Sequence, residues 1–170
     1  MTSVVLVITA LIAIVCIVVI TVFYNLTKLQ EEVREKNLEL ESYRMERWDM
    51  TKQLAACVDS VLDDEKKMEG VRALFDRDYM LMSQEEKAIC FQKMEEVLGK
   101  LLLMVKNQSS LQNEEKVHDI CKGLKDKMAM YHNAEMYYER SVRRLNDKID
   151  KVPERYVARI FGIQKETGLK

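Results

Sequence analysis

The chain has 170 residues, of which 32% are charged, and its formal net charge is −1. This balance argues against a nucleic-acid-binding protein, which would carry a basic face or stripe. Five glycines and one proline are few for this length, and the frequent Met, Leu, Glu and Lys are helix formers. The composition therefore predicts an all-α protein without a nucleic-acid partner.

An uncharged apolar run opens the chain, and residues 3–23 contain nothing more polar than Ser and Thr. Because an α-helix rises about 1.5 Å per residue, roughly 20 such residues cross a ~30 Å hydrocarbon core. A cleaved signal peptide is the alternative, but it would need a basic start, a shorter run and a small-residue cleavage site. We therefore expect an uncleaved anchor over residues 1–23, which contacts the lipid bilayer through residues 3–23.

A heptad-like apolar stripe continues out of this run and predicts one long helix to about Phe75. The stripe is interrupted at Lys36, Arg47 and Asp64. Arg47 and Asp64 are either inward-facing charges that fix the register or, as we favour, positions where the stripe drifts off the core. The stripe comprises Leu26, Leu29, Val33, Leu40, Tyr43, Met50, Leu54, Cys57, Val61, Met68, Val71 and Phe75.

Two further helices are predicted from their end signals. A capping box at Ser83 begins the second helix, which runs to about Lys106 before a polar loop. A third helix runs from a cap at about Asn113 to Lys151, because Pro153 stops it.

The segment after Pro153 carries apolar residues at spacings that predict one face of a short helix, which we expect to pack against the bundle. These residues are Tyr156, Val157, Ile160 and Phe161. The alternative is contact with an anionic membrane surface, because the residues from Lys151 onward carry a net charge of +3. A bundle of four helices would bring this segment back toward the headgroups, and a bundle of three would not.

Long helices that each bury one stripe pack together, and short connections favour antiparallel neighbours. We predict an all-α fold with an N-terminal transmembrane helix, followed by an antiparallel up-and-down bundle of three long helices. A break of the first helix near Asp63–Glu65 or at Gly70 would give four. The predicted domains are the anchor, residues 1–23, and the helical bundle, residues 24–170.

The residues that could carry chemistry are sparse. Glu115 and His118 form one E-x-x-H pair, but His132 lacks the second glutamate that a di-iron bundle needs. His118 and Cys121 have half of a zinc-site spacing, and no second pair completes it. We predict no catalytic, cofactor-binding or metal-binding residue, no cofactor and no enzymatic activity.

Two other groups of residues have structural interpretations. A basic cluster on the third helix is a solvated face with ion pairs, or alternatively a docking patch for an acidic partner. It comprises Arg140, Arg143, Arg144 and Lys148, interleaved with Asp147 and Asp150. Cys16, Cys57, Cys90 and Cys121 are far apart and are expected to be small apolar residues in a reducing compartment.

Two stretches of the sequence resemble the LemA family of bacterial membrane proteins. Tyr24-Asn25-Leu26 and Arg47-Trp48-Asp49-Met50 resemble the family's YN-x-L and R-x-D-L-I-P. Tyr137-Tyr138-Glu139-Arg140-Ser141-Val142, running on to Val152-Pro153, resembles its Y-Y-N-x-x-V pattern, and Val157-Ala158-Arg159-Ile160-Phe161-Gly162 resembles its I-A-x-x-F-G tail. Lys52 and Glu139 depart from the Pro and Asn usual in the family. The resemblance implies a helical bundle on a single N-terminal anchor, and a family without an established enzymatic activity.

The predicted function is that of a membrane-anchored helical scaffold or interaction module with a protein partner of unknown identity. A membrane-anchored sensor or signalling stalk is the alternative. No Lys or Arg precedes the apolar run, whereas Lys28, Arg34 and Lys36 follow it. The positive-inside rule then predicts a single-pass bacterial membrane protein with its N-terminus outside and its helical domain in the cytoplasm. A domain outside is the alternative orientation.

Overall fold

The computed structural model describes residues 2–62 and 65–169. The chain is 88% helical, and no strand occurs among the residues described, so the predicted all-α class is confirmed. The helices are α1 (Thr2–Leu62), α2 (Glu65–Phe75), a 3-10 helix (Tyr79–Leu81), α3 (Gln84–Asn107), α4 (Ser109–Gln112), α5 (Glu115–Ile149) and α6 (Glu154–Phe161).

The first long helix differs from the single helix predicted to reach Phe75. α1 ends at Leu62 and α2 begins at Glu65. Asp63 and Asp64 lie outside the described residues, so the hypothesis about the role of Asp64 is not addressed. The helix boundaries agree with the four-helix alternative.

The start of α3 follows the prediction in detail. Ser83 is the N-cap residue, and its hydroxyl accepts a hydrogen bond from the backbone N–H of Glu86. The Glu86 carboxylate in turn accepts from the Ser83 backbone N–H at 2.9 Å. This capping box satisfies two N–H groups that a helix leaves without intrahelical partners, and the hydrogen bond to Ser83 lowers the pKa of Glu86.

The ends of the later helices were predicted less accurately. The short helix α4 occupies part of the predicted loop, and Asn113 lies at its C-terminal end instead of capping α5. α5 ends at Ile149, ahead of Pro153, which is the N-cap residue of α6. Gly162 ends α6 with a φ of 70°, a left-handed conformation that glycine adopts without steric cost.

The chain forms two compact units, and α1 and α5 contribute residues to both. The terminal unit consists of Met1–Leu40 and Ala134–Lys170, and the central unit is Glu41–Asn133.

In the terminal unit, α1 and α5 run antiparallel. Glu32 of α1 pairs with Arg144 of α5, and Lys36, further along α1, lies over the ring of Tyr137, earlier in α5. The predicted stripe of the first helix is buried here at Leu26, Val33 and Leu40. The other buried apolar residues of this unit include Val22, Ala134, Tyr138, Val142, Leu145, Ile149, Val157 and Ala158.

In the central unit, α1, α2, α3 and α5 alternate in direction. The α1–α2 contacts run from Asp59–Arg72 to Trp48–Phe75, so these helices are antiparallel. One buried apolar cluster forms the core of this unit. Its members include Trp48, Leu54, Val58, Met68, Phe75, Met94, Leu101, Leu111, Val117 and Leu124. This arrangement is an up-and-down bundle in which α2 is the short member.

Candidate functional site

Residues 3–21 of α1 are exposed except for Val19, which is half-buried. The most apolar part of this helix has a mean hydropathy of 3.3 and is 0% buried. The exposed large apolar residues of this segment range from 43% for Val18 to 69% for Leu6, whereas Val22 is 9% exposed and Leu26 is fully buried. By length and composition, α1 qualifies as a helix that could cross a membrane. The burial pattern places the change from uncovered to packed helix at about Val22.

The C-terminal helix α6 meets α1 at this change. The ring of Phe161 lies with its centroid 4.5 Å from that of Phe23, the last residue of the apolar run. Both residues belong to the terminal unit. The chain therefore returns, after α5, to the end of its own apolar segment.

The two sides of α6 have different surroundings. Val157 and Ala158 are 3% and 2% exposed and pack in the terminal unit. Tyr156, Ile160 and Phe161 are 63%, 72% and 49% exposed. The segment therefore packs on the bundle as expected, but of its four apolar residues only Val157 is buried, so the expectation that all four share the packed face is wrong. The cause is the position of α6, which places Val157 against the unit and turns Tyr156 and Ile160 outward.

Charged side chains connect α6 and the following segment to the end of α5. Lys148 forms an ion pair with Glu154 at 2.6 Å, and Lys165 pairs with Asp150 at 2.7 Å. The hydrogen bond from Lys148 lowers the pKa of Glu154, and that from Lys165 lowers the pKa of Asp150. Both carboxylates are therefore ionised at neutral pH and hold their partners.

Hydrogen bonds attach the C-terminal segment to α5. The Tyr138 hydroxyl donates to the carbonyl oxygen of Thr167 at 3.2 Å. Asn146 donates to the carbonyl of Glu166 at 2.8 Å and accepts from the Glu166 N–H at 3.0 Å. These contacts fix a segment that lacks regular secondary structure.

The predicted basic cluster has two parts. Arg140 and Arg143 are exposed on α5. Arg144 donates to Glu32 at 2.8 Å, and the buried Ser141 donates to the same carboxylate at 3.1 Å. Arg144 thus pairs with Glu32 of α1 and Lys148 with Glu154 of α6, and no local sequence pattern links Arg144 to Glu32.

A groove of about 400 Å³, lined mainly by polar side chains, lies in the terminal unit. Its lining combines α1 with the C-terminal segment and includes Thr27, Gln30, Arg34, Asn37, Tyr138 and Glu166. It is lined by neither a cysteine nor a histidine, and its carboxylates are Glu31 and Glu166.

Arg47 of the central unit is buried, contrary to the favoured interpretation that the stripe drifts away from the core there. Its side chain is 3% exposed and pairs with Glu95 of α3 at 2.5 Å. The guanidinium lies 5.3 Å from the ring centroid of Phe91 and 4.9 Å from that of Tyr131. Carboxylate and rings together compensate for the loss of water around the charge.

An aromatic cluster lies beside Arg47 in the sequence. Trp48 is 2% exposed, and its ring lies 4.9 Å from that of Phe75 and 5.0 Å from that of Tyr79. Burial raises the pKa of Tyr79 to about 12. The cluster has the character of a packed core and not of a ligand site.

The histidines and cysteines that sequence analysis weighed as metal ligands do not come together. His118 is exposed on α5, and Cys121 is half-buried. In the part of the chain that the structure describes, no group of three or more His, Cys, Asp or Glu side chains could hold a metal ion. The cysteines are free, and Cys90 is the buried one.

Comparison with known proteins gives one family. The sequence model described as the LemA family matches residues 36–170, which is most of the chain. None of the curated proteins compared with the chain matches it.

Proposed function

The chain belongs to the LemA family, and on this premise we propose that it is a non-enzymatic, membrane-anchored helical scaffold that binds another protein. One observation carries the proposal. Within a single helix, α1, an uncovered apolar segment of about 28 Å over residues 3–21 precedes a segment that is buried in the helical units. This length matches the ~30 Å hydrocarbon core of a bilayer.

The helical units support the scaffold part of the proposal. Their polar groups are used in helix-to-helix contacts, as for Glu32 with Arg144 and for Arg47 with Glu95. Enzyme sites commonly lie on loops or in largely apolar clefts with convergent polar groups. The groove of the terminal unit is lined mainly by polar and charged side chains, which suit the binding of a polar partner.

Crosslinking in cells, followed by mass spectrometry, tests the scaffold. The anchored chain is expected to give recurrent adducts with one or a few proteins. Deletion of residues 2–21 should abolish these adducts, whereas replacing residues 3–21 by an unrelated apolar segment of equal length should preserve them. Equal adducts from the deleted form would show that anchoring plays no part.

The sensor alternative predicts a different result. A small molecule that shifts the bundle would raise its melting temperature by mass action. A ligand-dependent rise in the melting temperature, without recurrent protein adducts, would favour the sensor over the scaffold.

We place the helical domain in the cytoplasm as part of the same proposal. Lys28 and Arg34 are exposed just after the apolar segment, and Lys36 is half-buried. Their neighbours Glu31 and Glu39 pair with Arg34 and Lys36, but acidic residues contribute little to the positive-inside rule. Protease added to spheroplasts should leave the domain intact, and its digestion from outside would reverse the orientation.

A further inference from the structure

Helix α6 has an exposed apolar side that the terminal unit does not cover. Tyr156 and Ile160 lie about one helical turn apart and are 63% and 72% exposed. Val152, just before the helix, is 67% exposed. On the opposite side of α6, Val157 and Ala158 pack in the terminal unit. This packing keeps Tyr156 and Ile160 exposed.

The position of α6 along the axis of α1 follows from contacts within the terminal unit. Arg144 of α5 lies level with Glu32 of α1. Because the helices are antiparallel, the end of α5 at Ile149 lies about 7 Å nearer to the apolar segment. The contact between Phe161 and Phe23 brings the end of α6 level with the last apolar residue of α1.

If α1 crosses a bilayer, this position of α6 along α1 coincides with the headgroup layer. The uncovered part of α1 fills the hydrocarbon core with about 28 Å of helix. The headgroup layer beyond it is roughly 5–8 Å thick on each side. Since Phe23 marks the edge of the core, α6 lies within that layer.

The charges on α6 suit such a surface. Arg155 and Arg159 are exposed, as is Lys151 just before the helix. The acidic residue of the helix, Glu154, is buried and paired with Lys148. The exposed polar side of α6 is therefore basic, and anionic lipid headgroups attract each such residue by about 1 kcal/mol.

We propose that α6 is a second membrane contact, an interfacial helix whose Tyr156 and Ile160 enter the headgroup boundary while Arg155 and Arg159 bind anionic phospholipids. The proposal rests on the membrane anchoring by α1. It deepens that function, because two contacts fix the tilt and rotation of the terminal unit on the bilayer, where a single helix would leave both free.

The test uses the full chain in vesicles of phosphatidylcholine mixed with phosphatidylglycerol. A photoreactive benzoylphenylalanine replaces Ile160, and mass spectrometry identifies the lipid adducts after illumination. The control position is Tyr137, which is 52% exposed in the same unit. Tyr137 lies beside Lys36, roughly 20 Å beyond Phe23 along α1. We expect lipid adducts from the Ile160 position and none from the Tyr137 position.

The ratio of the two lipids in the adducts tests the charge argument. We expect phosphatidylglycerol to be enriched several-fold over its share of the vesicle, because each basic residue contributes about a fivefold preference. The double variant Arg155→Glu and Arg159→Glu should lose this enrichment. The matched double variant Arg140→Glu and Arg143→Glu, which alters exposed arginines on α5, should retain it.

The outcomes separate this inference from the proposed anchor. A chain that is removed from the vesicles by alkaline extraction would refute the anchor, and the inference with it. A chain that stays in the vesicles but gives no lipid adduct at Ile160 or, in a second variant, at Tyr156 would refute α6 as a membrane contact and leave the anchor standing. Adducts to protein alone, which in these vesicles can only be another copy of the chain, would refute the lipid contact and assign this side of α6 to self-association.

Discussion

Arg47 is the residue whose environment departs most from its sequence pattern. It occupies a stripe position with a charge, and it is buried between the carboxylate of Glu95 and the rings of Phe91 and Tyr131. Removing one member of such a pair leaves an uncompensated buried charge, whereas removing both is far less costly. We therefore expect the pair to fix which sides of α1 and α3 meet.

A double-mutant cycle on this pair tests that role. Glu95→Gln should lower the free energy of unfolding by about 1–3 kcal/mol, because Arg47 then keeps a buried charge beside a neutral amide. Arg47→Met combined with Glu95→Gln should cost less than the sum of the single changes by about 1 kcal/mol or more. Urea unfolding of the full chain in detergent, followed by the fluorescence of Trp48, the single tryptophan, measures this. Additive effects would mean that the two side chains do not interact.

At the scale of single elements, the ends of helices were predictable where a local signal sets them. The capping box at Ser83 is contained within four consecutive residues, so its geometry depends little on the rest of the chain. The end of α1 at Leu62 lies beside the acidic stretch 63–65, one of the two positions at which the sequence allowed a break, and α4 has no side-chain cap. The periodic apolar stripe continues past the first of these positions and does not by itself choose between a break and a continuous helix.

Two glycines, one inside a helix and one just after a helix end, are expected to respond oppositely to substitution. Gly99 lies inside α3, and a Cβ there would meet no atom within 4 Å. Gly99→Ala should therefore raise the free energy of unfolding by about 0.5–1 kcal/mol. Gly162 ends α6 with a φ of +70°, so Gly162→Ala should lower it by about 1 kcal/mol.

Denaturant unfolding followed by far-ultraviolet circular dichroism compares the two variants. Gly162→Asn is the control, because asparagine tolerates the left-handed region better than alanine. A loss of stability in Gly99→Ala, or equal effects of Ala and Asn at Gly162, would contradict these explanations.

At the scale of the whole molecule, burial of apolar side chains and interhelical polar contacts account for the fold. The cysteines are free, and the described residues form no metal-binding group. We therefore expect the chain in detergent to keep its helicity and its unfolding midpoint in the presence of a chelator or a reductant. Circular dichroism measures both, and loss of helicity on adding either agent would show that a metal or a disulfide stabilises the fold.

The amino-acid sequence by itself determined the all-α class, the apolar segment of α1, the start of α3 and the family. Each of these depends on composition, on periodicity or on residues close together in the chain. The match to the LemA family over residues 36–170 agrees with the resemblance seen in the motifs near Arg47 and Tyr138.

Only the tertiary structure decided which charges are inside and which apolar residues are outside. Arg47 is buried and Ile160 is exposed, the reverse of what their side chains suggest. An apolar side chain leaves water equally well for a protein core or for a membrane surface, so hydrophobicity cannot distinguish Val157 from Ile160. Their different surroundings follow from the return of the chain to Phe23, a contact between residues far apart in the sequence.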